Sequence, residues 1–410
     1  MLSTHTERAT GRWEIGINRP ISGLDVEPFS ISVDEALLTD LRARIENTRW
    51  PARAPGSPWE HGVDPDYLRR LLAYWAEEFD WRARERELNA FAQFRAELEG
   101  VTVHFVHERS RRGPGVPLIL TNGWPSNFVE LLPLVPFLTD PEAHGIEGPA
   151  FDLVLPSLPG YGFSERPASV RVNYRYVAGL WQRLMQGLGY ARYGAGGGDF
   201  GAGVATLMAL DQPQRLIGLH LSNLELSPYL GPGSRPLSSA EDGYLRQSDR
   251  FWQAEGGYKQ IQATKPQTLA YALNDSPAGL AAWILDRWRS WADSGGDLDG
   301  HFTRDLLLTV VTLYWVTQTM PTSILDYFDN RWYGVELGPD DFVHVPTAIT
   351  VFPQFVSEGK PPREWAERLY NVRRWTRMPT GGHFAPVEEP ERLAQDIASF
   401  FARITPAARD

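Results

Sequence analysis

Gly197-Gly198-Asp199-Phe200-Gly201 constrains this chain more than any other stretch. It follows a short apolar run, Tyr190 to Ala195, and precedes a helix-like segment, Val204 to Leu210. A strand that turns sharply into a helix leaves no room for side chains two residues before and two after the central one. The central residue is pushed out above the sheet, as in a nucleophile elbow. Here that residue is Asp199. A carboxylate in such a place attacks a carbon and forms an alkyl–enzyme ester. Taken alone, an Asp beside Gly reads more simply as a turn, so the rest of the chain decides.

The surrounding rhythm favours the elbow. Val101 to His107 alternates like a strand, and Pro117 to Leu120, Phe151 to Leu155 and Leu216 to Leu221 read as further strands. Phe128 to Leu138 and Tyr174 to Leu188 read as helices between them. Strands alternating with helices predict a mainly parallel sheet with helices on both faces. The rhythm breaks from about Ser227 to Gly334, a helical and aromatic stretch with Gly- and Asp-rich breaks such as Ser294 to Gly300. It reads as an inserted helical cap. Strands resume at Pro346 to Phe352 and Arg373 to Met378, and a last helix runs from Pro390 to Phe401. Residues 27–100 read as helical and irregular. Val33 to Thr48 has Ser32 as its expected N-cap, and Tyr67 to Phe79 forms a second helix after a Pro-rich connector. The expected organisation is an N-terminal extension (1–100), a core in two parts (101–226 and 335–410) and the cap (227–334).

Composition narrows the function. A net charge of −11 argues against nucleic acid or an anionic membrane surface as partner. The absence of cysteine removes disulfides and thiolate metal sites, and with no apolar run in Met1 to Pro20 it points to the cytoplasm. No stretch approaches the ~20 apolar residues of a membrane span.

On an α/β-hydrolase sheet the catalytic partners follow in the order nucleophile, acid, histidine. His383, in Gly381-Gly382-His383-Phe384, lies after the last expected strand and before the last helix. A neutral imidazole there can activate the water that cleaves an ester at Asp199. Oxyanion N–H donors are expected from Phe200 and from the Asn122-Gly123-Trp124-Pro125 loop, at Trp124.

These residues match a family. The chain resembles the epoxide hydrolases of the α/β-hydrolase superfamily, particularly the microsomal and juvenile-hormone type with an N-terminal extension. The resemblance covers most of residues 27–402. It rests on Gly123-Trp124-Pro125, on Leu158-Pro159-Gly160-Tyr161-Gly162-Phe163-Ser164, on the elbow and on Gly381 to Phe384. Cap motifs add to it: Gly257-Tyr258, Ile261 to Pro266, Ala272 to Pro277 and Tyr314-Trp315. It implies an α/β-hydrolase fold with Asp199 as nucleophile and His383 as base. Tyr258 and Tyr327 fall where the family places its donors to the epoxide oxygen. A phenol suits that task, because it bonds or protonates an alkoxide while staying neutral at pH 7. The implied partner is a small apolar epoxide bound against Trp124, Phe200, Tyr258 and Tyr327. No cofactor or metal is implied, and a homodimer is an open alternative to a monomer.

Three departures stand out. Asn122 replaces the family's usual His, and Ser126-Asn127 replaces its Gly-Ser. The third concerns the acid that orients the histidine, expected two residues after Pro353, where this chain has Phe355. Glu358, in a loop about two residues longer than usual, is the first substitute, and Glu225 the second. Two rivals keep the scaffold. A haloalkane dehalogenase would release halide. A non-hydrolytic, cyclase-like epoxide-opening enzyme or an inactive binding protein would not put water oxygen into Asp199.

Overall fold

The strand rhythm becomes one nine-stranded sheet in the computed structural model, which describes residues 24–354 and 360–405. The strands are β1 (Val26–Phe29), β2 (Gln93–Leu98), β3 (Val101–Glu108), β4 (Val116–Thr121) and β5 (Phe151–Pro156), then β6 (Tyr193–Gly197), β7 (Leu216–Leu221), β8 (Val343–Val351) and β9 (Tyr370–Arg377). Their order is β1-β2-β3-β5-β4-β6-β7-β8-β9. From β5 through β4 to β9 every neighbouring pair is parallel, while β1, β2 and β3 add an antiparallel edge. All six residues of β5 are buried, as expected of a strand covered on both faces.

The antiparallel edge contains the two strands that the sequence hides. Gln93 and Arg95 interrupt the apolar alternation of β2. Both find partners in the fold: Gln93 Nε2 donates to the Leu88 carbonyl at 2.8 Å, and the Arg95 guanidinium lies over the Phe29 ring at 4.0 Å. A third helix, Trp81–Leu88, also goes unread. The first helix, Glu35–Glu46, is capped by Asp34 rather than Ser32: the Asp34 carboxylate accepts from the Ala36 N–H at 2.9 Å. The expected helix from Phe128 to Leu138 is broken into a 3₁₀ segment, Phe128–Leu134, and a short helix, Val135–Thr139. Pro133 and Pro136 lack the N–H groups a continuous helix needs.

Between β7 and β8 the chain is dominated by helices, from Ser239 to Tyr333. The segment Gly257–Gln262 carries Tyr258, and Leu325–Tyr333 carries Tyr327. Pro277–Trp291 passes beneath them with Trp288 and Trp291 fully buried. Among the described residues, no helix is long and apolar enough to cross a membrane.

Candidate active site

Steric necessity sets the turn between β6 and the helix Phe200–Asp211. A Cβ on Gly197 would lie 2.2 Å from the Thr121 carbonyl oxygen, and one on Gly201 would lie 2.0 Å from the same atom. Gly198 is not required in this way, since its nearest neighbour would be 3.6 Å off. Asp199 sits at φ 51° and ψ −127°, a conformation non-glycine residues rarely adopt. Its N–H donates to Asn223 Oδ1 at 2.8 Å, which helps hold the turn.

The carboxylate of Asp199 accepts from the N–H of Trp124 at 3.0 Å and from that of Phe200. Both donors expected from the sequence thus converge on one side chain. Burial pushes the Asp199 carboxyl well above its ordinary range. The Glu225 charge pushes the same way, and the two N–H bonds pull it back.

His383 is brought to the same place from the far end of the sheet. Its Nε2 lies 3.9 Å from Asp199 Oδ2. The backbone N–H of His383 donates to the Trp291 carbonyl at 3.0 Å, and the ring packs on the Trp291 ring with centroids 4.7 Å apart. Burial lowers its pKa to about 3, with the Trp124 carbonyl acting in the opposite direction. The imidazole is therefore neutral at physiological pH, the state a general base requires.

Tyr258 and Tyr327 converge on Asp199 from different helices. Trp124 joins them: its ring is parallel to Tyr258 and edge-on to Tyr327, each with centroids 5.5 Å away. The two tyrosine rings are 5.8 Å apart at 84°, and their hydroxyls are hydrogen-bonded to each other. Tyr327 also packs on Phe200 at 5.0 Å. Burial raises both phenols well above their usual pKa, and the Asp199 charge adds to it. Both remain protonated donors at neutral pH.

The sequence offers Glu358 and Glu225 as the acid that orients His383. Phe355 and Glu358 lie outside the described residues. The chain just before them is anchored beside the histidine: the Gln354 N–H donates to the Gly381 carbonyl at 3.2 Å, and Gln354 bridges to Gly382. Glu225 is engaged elsewhere. It accepts from the Tyr174 hydroxyl at 2.6 Å and from Asn223 Nδ2 at 3.5 Å. The other departures find local uses. Asn127 caps the 3₁₀ segment through the Val129 N–H at 3.2 Å, and the Ser126 carbonyl accepts from the Tyr314 hydroxyl at 2.6 Å.

Two features escape the sequence reading. One is Glu130, a buried acid in the run Phe128 to Leu138, whose only hint is a single charge among apolar residues. The other is a buried ionic cluster under Tyr327. Arg166 bonds Asp326 and Asp329, the latter at 2.7 Å, and donates to the Thr322 carbonyl at 3.0 Å. These charges lie up to 163 residues apart in sequence, so no local pattern announces them.

A carboxylate at an elbow, a neutral histidine beside it and two N–H donors on an α/β-hydrolase sheet define a hydrolase class with an aspartate in the nucleophile position. Comparison with known proteins narrows the class. Residues 26–131 match the family model of the epoxide hydrolase N terminus, and residues 116–289 match that of the alpha/beta hydrolase fold. A Stigmatella aurantiaca protein bearing an epoxide hydrolase name is 40% identical over 92% of this chain and 85% of its own length. Epoxide hydrolase 1 of Sus scrofa is 36% identical over 95% of this chain and 92% of its own. The crystal structure of juvenile hormone epoxide hydrolase from the silkworm Bombyx mori superposes with a TM-score of 0.84 at 30% identity, covering 93% of this chain and 95% of that one. The chain belongs to the epoxide hydrolase family.

Proposed function

We propose that the protein hydrolyses a small apolar epoxide to a vicinal diol through an ester at Asp199. Asp199 attacks one ring carbon. A carbon–oxygen bond forms, and the ring carbon–oxygen bond breaks with its electron pair going to the ring oxygen. That oxygen takes a phenolic proton from the Tyr258–Tyr327 pair. His383 then removes a proton from water, and the water oxygen adds to the Asp199 carboxyl carbon, with Trp124 and Phe200 N–H groups bonding the oxyanion. Collapse releases the alkoxide, which takes the proton from His383. The remaining proton on the carboxyl returns to the phenolate, so the balance is epoxide plus water to diol. The apolar substrate class follows from the wall of Trp124, Phe200, Tyr258 and Tyr327.

One observation carries this reading. Two buried phenols, joined to each other and to Trp124, face the same place as the carboxylate and the imidazole. A dehalogenase has no need of such proton donors for a halide. For the acid that orients His383 the reading favours Glu358. Gln354 is tied to the backbone beside His383, and four residues span up to about 14 Å when extended. The test is His383→Gln. With styrene oxide it should form the ester and fail to release it, and intact-mass measurement should show enzyme plus substrate. A folded variant that turns over diol at the wild-type rate would overturn the assignment, since loss of a general base costs about 100-fold or more.

A further inference from the structure

Behind the elbow lies a cavity of about 20 Å³, room for one water. Thr121, Asn122, Glu130, His220, Ser222 and His383 line it, together with the backbone of Gly197 and Gly198. It is on the core side of the nucleophile, away from the tyrosines that face the substrate. Four leucines, Pro386 and Ile397 complete the wall, so these polar groups are set in a largely apolar surround. Asn122 donates through Nδ2 to the Gly123 carbonyl at 3.0 Å, while its Oδ1 is buried without a hydrogen-bond partner among the described residues. A buried unpaired acceptor is costly. Glu130, 6% exposed, is costlier still, because the charges acting on it most, Asp199 and Glu388, are both negative.

We infer that this cavity seats the water that resolves the Asp199 ester, and that Asn122 and Glu130 are its positioning residues. The inference rests on the covalent reading above. Once the alkyl group occupies the tyrosine side, water approaching from that side is obstructed. A water in the cavity reaches His383 from behind. It donates one hydrogen to the imidazole and the other to the acceptors of Asn122 and Glu130, which leaves an oxygen lone pair for the ester carbon. Glu130 only holds the water and takes no proton.

The electrostatics suit the timing. Burial, against a hydrogen bond from Ser126 and with the negative charges of Asp199 and Glu388 adding to it, lifts the Glu130 carboxyl to about 8. Forming the ester removes the Asp199 charge, and with it one cause of the lift. Glu130 is then more ionised, and a stronger acceptor, in the step that consumes water. His383, which burial keeps neutral, and His220, whose Nε2 bonds Asp396 at 2.9 Å, complete the titratable groups around the cavity.

The test follows ester formation and ester hydrolysis separately in the full chain, with styrene oxide as probe and intact-mass detection. Glu130→Gln should form the ester within about threefold of the wild-type rate and hydrolyse it about tenfold more slowly or worse. Wild-type hydrolysis should rise with pH between about pH 6 and 9, and this rise should flatten in the Gln variant and partly return in Glu130→Asp. Asn122→Ala should also slow hydrolysis selectively, which keeps the test open should the Glu130 variants fold poorly. Wild-type hydrolysis rates in Glu130→Gln or Asn122→Ala overturn the water site. So does equal slowing of both steps. Heavy-oxygen water separates this from a deeper failure: diol made by the wild type with no label ever entering Asp199 overturns the covalent reading, and the water site with it.

Discussion

The two halves of the site are held by different physics. The carboxylate half is a matter of backbone. Gly197 and Gly201 press on one carbonyl, Trp124 and Phe200 offer N–H groups, and Asn223 bonds the Asp199 N–H. The tyrosine half is a matter of side chains delivered by separate helices. Tyr258 is held by rings, stacked on Trp124 and overlaid by the Arg287 guanidinium at 5.2 Å. Tyr327 is held by charge, through Arg166 and its two aspartates. A backbone-built site resists change, whereas a side-chain-built site can be altered without unmaking the fold. Substitutions in the first half should therefore be all-or-none, and those in the second graded.

The sharpest break comes from Asp199→Asn. Ester formation should fall by roughly 10⁴-fold or more, because an amide is a poor nucleophile. Quenched single-turnover mass measurement checks this, provided deamidation back to Asp is excluded. Arg166→Met comes next. It leaves two buried carboxylates without their principal cation, which should cost about 3–5 kcal/mol of stability in denaturant unfolding. The matching change on the other anchor, Arg287→Gln, should cost about 1 kcal/mol or less if only the ring contact is lost. Equal costs would mean the two tyrosines are anchored alike. Tyr258→Phe combined with Tyr327→Phe should slow ester formation about 100-fold or more while leaving hydrolysis of a preformed ester near the wild-type rate. An unchanged rate of ester formation would make the tyrosines packing residues.

The smallest effect concerns pH. A raised pKa protonates Asp199 at a higher pH than an ordinary carboxylate, so ester formation should fall on acidification sooner than usual. Glu225 is one cause of that rise. Glu225→Gln should move the acid limb of ester formation to lower pH and leave ester hydrolysis unchanged. Slower hydrolysis instead would assign Glu225 to His383.

The same contrast explains what the sequence discloses. The elbow is legible because its constraint is local: two glycines at fixed spacing and one acid between them. His383 is legible from its place after the last strand. The tyrosines are not legible from spacing, and only the family motifs around Gly257-Tyr258 single them out. The strands Val26–Phe29 and Gln93–Leu98 are hidden because Gln93 and Arg95 find partners on neighbouring strands, Gln93 on His104 and Arg95 over the Phe29 ring. Glu130 is hidden for the same reason. Its meaning depends on a cavity shared with residues 90 and more than 250 positions away.

The Thr121 carbonyl oxygen acts as a reference surface against which the reactive parts are located. Both elbow glycines rest on it, and the strand that ends at Thr121 runs straight into the Asn122-Gly123-Trp124 loop. The Asp199 carboxylate and one of the N–H groups that donate to it are thus indexed to a single atom, and errors in their separation cannot accumulate through intervening parts. Variation aimed at new substrates can be confined to the helices between β7 and β8, with the tolerance of the reacting atoms fixed once, when the sheet forms.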